Sequence, residues 1–247
     1  MGVTTEQERE FEVANITKLR ERYLATDVLG KVQSDPGYAE KVSLIEKELE
    51  GVTDWILDVG AATCGESEYL TTLGYKIIAN DVNEVALEVS RERCARFGRP
   101  APRYLACDAQ HLQLDDASVA FVVFDESLHH MPDASQALSE AWRVLKPGGK
   151  VFLYEPYAYN PYRRLSEIRE IIRGETVERS FSVRQLNGLL ARAGFSVLSL
   201  RRNVYISAWK LTQFGPVHRA LRRLYVAVSK RALWLFGNLV VVAQKPS

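Results

Sequence analysis

Three acidic residues stand where a sequence could bind a ligand that carries hydroxyl and amino groups. Asp58 ends a first apolar run, small residues follow it from 60 to 65, and a helical pattern begins near Glu66. Asp81 and Asp108 end two further apolar runs. Small residues let a backbone pass close to a ligand, and a helix N-terminus offers free N–H groups. An acid at a strand end, at the offset of Asp81, is positioned to accept hydrogen bonds from ribose hydroxyls.

Two neighbouring histidines, His129 and His130, follow a fourth apolar run. They point in different directions, so they cannot form the i, i+4 pair that binds a metal. A neutral imidazole could take a proton from an acceptor hydroxyl or amine. The alternative is that both residues shape the loop and that one is a buried, hydrogen-bonded histidine. Other candidate bases at strand ends are Asp125, Glu126, Tyr154 and Glu155.

Short apolar runs that alternate with helical patterns position these residues. The predicted strands are 55–59, 76–79, 104–106, 119–124, 150–154, 196–200 and 238–243. The helical patterns between them are 65–73, 84–97, 134–145 and 183–193, and two further patterns at 5–25 and 42–49 flank a turn at 34–37. Such alternation predicts an α/β fold with a mostly parallel sheet covered by helices on both faces. The seventh strand is expected to be antiparallel, since no crossover helix of normal size separates it from the core.

The charge of the chain is divided unevenly, although its net value is only +1. Residues 179–247 hold 12 Lys and Arg and no Asp or Glu. This asymmetry favours an anionic partner, or else docking of the basic part on the acidic part. Within 216–236, a helical pattern places Arg219, Arg222, Arg223 and Lys230 opposite an apolar face. It predicts either peripheral contact with an anionic membrane, a cover over an anionic substrate, or a cap helix packed on the domain.

Several classes of protein are disfavoured by what the sequence lacks. Its 3 cysteines are scattered, and no Cys/His cluster has the spacing of metal ligands, so we expect neither disulfides nor a metal. We expect a cytoplasmic protein, because there is no signal peptide and no apolar run of about 20 residues. The loop after Asp58 lacks the G-x-G-x-x-G of nicotinamide-binding enzymes, and Asp58 would repel a phosphate.

Residues 54–156 resemble the class I methyltransferases that use S-adenosylmethionine. Residues 58–60 look like the first motif of that family, Asp81 matches its ribose-binding acid, and 107–110 resemble the turn that holds the adenine. Residues 128–133 and 145–149 resemble the branch typified by ubiquinone-biosynthesis methyltransferases. The family usually reads Asp-Val-Gly-Cys-Gly-Thr-Gly, whereas Ala62 and Cys64 replace its second and third glycines here. A methyl group at position 62 is compatible with the loop where φ is negative.

The resemblance implies a Rossmann-like fold, S-adenosylmethionine as cofactor, and S-adenosylhomocysteine as product. The residues expected to bind the cofactor are Asp58, Gly60, Ala61, Gly65, Asp81, Val82, Asp108, Ala109 and Asp125. Gly60 would hold the methionine end, Asp81 the ribose and Asp108 the adenine amine. The residues expected at the reacting group are His129, His130 and Tyr154.

The resemblance also implies an acceptor and a place for it. We expect methyl transfer to a small or lipid-like acceptor, and an anionic group on that acceptor would suit the basic part of the chain. O- or N-methylation is favoured over C-methylation. Residues 1–50 would form an N-terminal helical lid on a core of 51–247, in which insertions at 157–182 and 203–236 cap the acceptor. The alternative is a repurposed member that binds the cofactor without methyl transfer or catalyses other chemistry. No nucleic acid is expected, since residues 160–162 only superficially match the Asn-Pro-Pro-Tyr of amino-methyltransferases and lie beyond the fifth strand.

Overall fold

The computed structural model describes residues 5–161, 163, 164, 168, 180–203, 231 and 237–247. The predicted basic helix at 216–236 and most of the predicted insertion at 203–236 lie outside the described residues, as does part of the insertion at 157–182. Within the described part of the chain, no helix is long and apolar enough to cross a membrane. The same part contains no group of His, Cys, Asp and Glu residues that could hold a metal ion.

Seven strands of the described chain form one sheet, in the order β3-β2-β1-β4-β5-β7-β6. The strands are β1 (Ile56–Val59), β2 (Ile77–Asp81), β3 (Arg103–Ala106), β4 (Val119–Asp125), β5 (Leu145–Glu155), β6 (Ser196–Asn203) and β7 (Asn238–Gln244). All neighbours from β3 to β5 are parallel, whereas β7 runs antiparallel to both β5 and β6. The predicted seven-stranded, Rossmann-like α/β fold is therefore confirmed.

Helices cover both faces of this sheet. They are α1 (Thr5–Leu24), α2 (Val28–Ser34), α3 (Pro36–Glu48), α4 (Gly65–Thr72), α5 (Glu84–Arg96), α6 (Ala134–Val144) and α7 (Val183–Arg192), with a short 3-10 helix at Leu128–His130. Strand residues alternate between two cores, as the pleat of a strand requires. Val122 and Phe124 of β4 pack in the core that contains residues of α6 and α7. Phe121 and Val123 pack in the core that contains Ile45 of α3.

The region before the sheet contains one more helix than the sequence predicted. The predicted turn at 34–37 is a direct junction between α2 and α3, and α3 begins at Pro36 rather than near residue 42. Asp35 makes this junction possible, because its carboxylate accepts hydrogen bonds from the backbone N–H groups of Gly37 and Tyr38. Proline suits the first helical position, where no N–H partner is needed. The junction brings Lys41 of α3 to the carboxyl end of the sheet, beside Asp125 at the end of β4.

Two strands are longer than predicted. β5 begins at Leu145, not at 150, because Leu145 already pairs with Val119. The register shifts before Lys150 pairs with Phe121, and Gly148, with a φ of +74°, lies in this irregular stretch. Gly149 is needed in this stretch, since a Cβ there would lie 2.8 Å from the carbonyl oxygen of Lys146. β6 continues to Asn203 because β7 pairs with it along its whole length.

Candidate functional site

The loop after β1 passes too close to β4 for any residue but glycine at position 60. Gly60 has a φ of +70°, and a Cβ on it would lie 2.6 Å from the Cβ of Ser127. Ser127 is fixed in turn, since its hydroxyl donates a 2.6 Å hydrogen bond to the carbonyl of Val59. The backbone of residue 60 therefore forms the floor of a narrow space at the carboxyl end of the sheet.

Ala62 and Cys64 both adopt the left-handed backbone conformation, with φ of 45° and 56°. The condition under which a methyl group at position 62 would be free of strain, a negative φ, is therefore not met. The loop keeps the left-handed turn that glycine usually provides, so the backbone of Ala62 and Cys64 is strained. A left-handed residue with a Cβ costs roughly 1–2 kcal/mol.

We therefore expect Ala62→Gly to raise the free energy of unfolding by about 0.5–1 kcal/mol, the relieved strain less the extra entropy of glycine in the unfolded chain. Ala62 is exposed, so little packing is lost. Urea unfolding measures the gain. Ala117→Gly is the matched control, because Ala117 is also exposed, has a φ of 49° and lies outside the site. Both variants should gain stability, and a loss in Ala62→Gly alone would contradict the strain at this position.

Asp81 ties the loop to the end of β2. Its two carboxylate oxygens accept hydrogen bonds from the backbone N–H groups of Ala62 and Asn83, each at 2.8 Å. Burial raises the pKa of Asp81, while these backbone bonds lower it. The same carboxylate borders a cavity of about 230 Å³. Asp81 can therefore order the loop and meet a ligand at once.

Most of the residues predicted to bind a cofactor line this 230 Å³ cavity, which we call the cofactor pocket. The predicted residues in its wall are Asp58, Gly60, Ala61, Asp81, Val82, Asp108, Ala109, Asp125 and His130. Gly65 is not in the wall. It begins α4, where a Cβ would lie 2.9 Å from the hydroxyl of Tyr38.

Tyr154 does not reach the pocket either. It shares the face of β5 with Phe152, so its ring is fully buried in the core with Ile45 and Val240. Burial raises its pKa well above the ordinary value. The structure therefore places Tyr154, a predicted catalytic residue, among core residues and outside the lining of both cavities.

Asp58 and Asp108 are held by hydrogen bonds in the wall of the cofactor pocket. Asp58 accepts a 2.6 Å bond from the hydroxyl of Ser67 at the start of α4, and burial raises its pKa to about 7. Asp108 accepts from the backbone and the side-chain amide of Gln110. Asn80 donates to the carbonyl oxygens of Leu105 and Cys107 and so fixes the turn that carries Asp108.

A buried lysine that sequence reasoning missed joins α3 to the same pocket. Lys41 Nζ lies 2.7 Å from Asp125, 3.0 Å from Glu66 and 3.9 Å from Glu126. One cation cannot compensate three carboxylates, and the pKa values show the result. Burial raises the pKa of Asp125 to about 8 against the attraction of Lys41. Glu66 is also buried, but Lys41 and Lys31 bring its pKa to about 2.

The cofactor pocket is therefore strongly acidic. Its described wall contains six carboxylate side chains and one lysine, namely Asp58, Glu66, Asp81, Asp108, Asp125 and Glu126 with Lys41. Such a pocket repels a pyrophosphate and attracts a cation. S-adenosylmethionine fits this requirement, since it carries a sulfonium and an ammonium group against one carboxylate. Its ribose and adenine would meet Asp81 and Asp108.

A histidine and a buried glutamate stand beside the pocket. The Nδ1–H of His129 donates a 2.7 Å hydrogen bond to Glu155, which also accepts from the backbone N–H groups of Leu128 and Ser127 at 2.8 and 3.2 Å. Glu155 is fully buried. The ring of His129 stacks on that of His130, with 4.1 Å between the ring centroids. His129 lines a second cavity, whereas His130 lines the cofactor pocket.

The second cavity, which we call the acceptor cleft, has a volume of about 910 Å³. It lies between the loop of the two histidines, α7 and the residues near 158 and 180. Met131 and Pro132 line both cavities, so the two spaces meet there.

Comparison with known proteins agrees with this geometry. Residues 57–153 match the family described as a methyltransferase domain. A demethylmenaquinone methyltransferase of Tropheryma whipplei is 29% identical over 70% of this chain and 77% of its own length. That of Clavibacter sepedonicus is 36% identical over 40% of this chain, and the match spans only 40% of that relative. A geranyl diphosphate methyltransferase solved with GPP and sinefungin has the same fold, with a TM-score of 0.65, 17% identity and coverage of 84% of this chain and 77% of that one.

The domain match, the relatives and the sheet order point to one family. The acidic pocket with Gly60, Asp81 and Asp108 lies at the carboxyl end of the strands, where open α/β sheets bind ligands. Residues 57–153 carry a methyltransferase domain of the class I S-adenosylmethionine-dependent kind.

Proposed function

We propose that the chain transfers the methyl group of S-adenosylmethionine to an oxygen or nitrogen of a small organic acceptor bound in the acceptor cleft. The observation that carries this proposal is that two cavities meet at Met131 and Pro132, with His129 and His130 beside the junction. The smaller cavity contains the cofactor-binding residues. The larger one, at about 910 Å³, is in the range of pockets that enclose small organic ligands.

The residues of the cofactor pocket act mainly by alignment. The Gly60 backbone would hold the methionine end, Asp81 the ribose hydroxyls and Asp108 the adenine amine. When bound, S-adenosylmethionine supplies an electrophilic methyl group. Holding two reactants in a productive geometry can supply several kcal/mol of the barrier by itself, so a rigid pocket is a large part of the catalysis.

Of the candidate bases, His129 is the one that the geometry supports. Glu155 holds the Nδ1–H of its imidazole, so the tautomer with a basic Nε2 is favoured, and the ring borders the acceptor cleft. Glu155 itself is a positioning residue, because its carboxylate is buried and already accepts from three donors. A base at this place suits an acceptor hydroxyl or amine, whose proton must leave as the methyl group arrives.

The proposal is tested in two steps. Mass spectrometry of the purified protein should detect bound S-adenosylmethionine or S-adenosylhomocysteine, and calorimetry should give a micromolar affinity, about −8 kcal/mol. A panel of phenols, hydroquinones and amines is then screened for the release of S-adenosylhomocysteine and for a methylated product. Failure to bind S-adenosylhomocysteine would contradict the assignment of the cofactor pocket.

With an acceptor from that screen, we expect His129→Gln to reduce turnover by about 100-fold at unchanged cofactor affinity. Wild-type turnover should fall toward acidic pH, as the imidazole becomes protonated. Glu155→Gln removes the carboxylate that stabilises the protonated ring, so the acidic limb of the pH–rate profile should move to lower pH. His111→Gln is the matched control, because His111 is exposed and lines neither cavity, and it should retain wild-type activity. Equal losses in the two histidine variants would contradict the role of His129 as the base.

A further inference from the structure

The acceptor cleft and the cofactor pocket carry opposite charge. Among the described residues, three arginines line the cleft, Arg164, Arg184 and Arg192, against one acid, Asp133. The carboxylate of Asp133 already caps α6, since it accepts from the backbone N–H groups of Ser135 and Gln136. The cleft is therefore basic, whereas the pocket that meets it is acidic.

Two of these arginines belong to one face of α7, which is rigidly held. Ser182 and Gln185 form a reciprocal capping box at the start of the helix, and Leu186 and Leu190 anchor its other face in the core. Arg184, Gly188 and Arg192 follow each other at intervals of one turn, on the side of the helix that lines the cleft. A Cβ at Gly188 would lie 3.5 Å from Nη1 of Arg192, so that guanidinium extends back along α7 over the glycine.

Arg184 and Arg192 have no partner among the described residues that would explain their charge. Both are exposed, and neither forms an ion pair or a hydrogen bond with a residue in the described part of the chain. Apolar side chains lie beside them in the cleft wall, including Tyr159, Phe181 and Leu189. The cleft thus combines a surface for an apolar body with guanidinium groups that are available to an anion.

We propose that the acceptor cleft selects acceptors that carry an oxyanion, a carboxylate or phosphate, on an apolar body, and that Arg184 and Arg192 bind this oxyanion. This inference rests on the proposed function, since it names the substrate class of the same site. The guanidinium group is suited to both oxyanions because it donates from a rigid fork.

The opposite charges also orient the acceptor. An oxyanion is attracted to α7 and repelled by the carboxylates of the cofactor pocket, among them Asp108 and Glu126. The uncharged end of the acceptor is thereby directed to the junction at Met131, next to His129. The positive charge of the cleft and the negative charge of the pocket therefore both select the acceptor and align it.

A matched pair of probes tests the proposal by binding alone. 6-Hydroxy-2-naphthoate and 2-naphthol share a ring and a hydroxyl and differ in one carboxylate, which lies at the end of the ring system opposite the hydroxyl. By calorimetry with saturating S-adenosylhomocysteine, wild type should bind the naphthoate at least about 10-fold more tightly than 2-naphthol. The double variant Arg184→Gln/Arg192→Gln should lose this preference to within about 3-fold while it binds 2-naphthol as before. 6-Hydroxy-2-naphthyl phosphate, as a third probe, separates preference for phosphate from preference for carboxylate.

Arg96→Gln is the matched control, because Arg96 is exposed on α5 and lines neither cavity. It should keep the full preference. The affinity for S-adenosylhomocysteine reports folding and the cofactor pocket in every variant. A wild type that binds both probes equally or binds neither, or a double variant that keeps the preference, would overturn the oxyanion proposal. Loss of S-adenosylhomocysteine binding by wild type would instead overturn the proposed function.

Discussion

Replacement of Asp81 by alanine will weaken the binding of S-adenosylmethionine by about 100-fold or more. The change removes the carboxylate expected to meet the ribose and also frees the backbone N–H groups of Ala62 and Asn83 that it holds. Hydrogen bonds to a charged group contribute roughly 1.5–3 kcal/mol each, so the loss of one ligand contact and of loop order gives a change of this size. Calorimetric titration with S-adenosylmethionine measures it.

Two variants separate the contributions of Asp81. Asp81→Asn keeps one carbonyl oxygen as an acceptor but places an NH₂ group against another donor, so its affinity should be intermediate. Asp115→Ala removes an exposed acid that lies outside the pocket and should bind as wild type does. Wild-type affinity in Asp81→Ala would show that the ribose is bound elsewhere.

Lys41→Met should lower the free energy of unfolding by about 3–5 kcal/mol, because it leaves Glu66 and Asp125 buried without their cation. Lys47→Met is the matched control: Lys47 is exposed on the same helix and forms no ion pair within 4 Å among the described residues. Its loss should cost less than about 1 kcal/mol. Urea unfolding measures both variants, and equal stability of the two would contradict a central role for Lys41.

The cost of Lys41→Met should depend on pH in a defined direction. Burial raises the pKa of Asp125 to about 8 and that of Asp58 to about 7, so the folded protein binds more protons than the unfolded chain between about pH 4 and these values. Wild-type stability without cofactor therefore falls as pH rises through this range. In Lys41→Met the stability should fall more steeply with pH. The double variant Lys41→Met/Asp125→Asn should recover part of the lost stability. A stability difference that is flat from pH 5 to pH 9 would contradict this origin.

Local patterns were sufficient for the fold and for half of the site. A few neighbouring residues are enough to identify the run from Asp58 to Gly60 and the acids at 81 and 108. In the first of these a strand, a small-residue loop and a helix start follow one another directly. Alternation along β5 also predicts the position of Tyr154. Phe152 and Tyr154 lie on the same face of the strand, so Tyr154 belongs to the core if Phe152 does.

The rest of the site depends on contacts between distant segments. Lys41 is one of many charges in an amphipathic helix, and nothing near it in the sequence indicates Asp125 as its partner. The same holds for Glu155 and His129, which the register of β4 and β5 brings together. The positive φ of Ala62 was hidden for another reason, since alanine shows no preference for such a conformation and only the fixed turn imposes it.

The position of β7 between β5 and β6 has a consequence for synthesis on the ribosome. The five strands from β3 to β5 can pair as soon as residue 155 has emerged, but β6 has no neighbour in the sheet except β7. Until residues 238–244 are made, the nascent chain carries an open edge on β5 and an unpaired β6. Open strand edges are sites of intermolecular pairing. Removal of 238–244 would thus expose the edges of both β5 and β6, whereas the loss of an edge strand would expose only one.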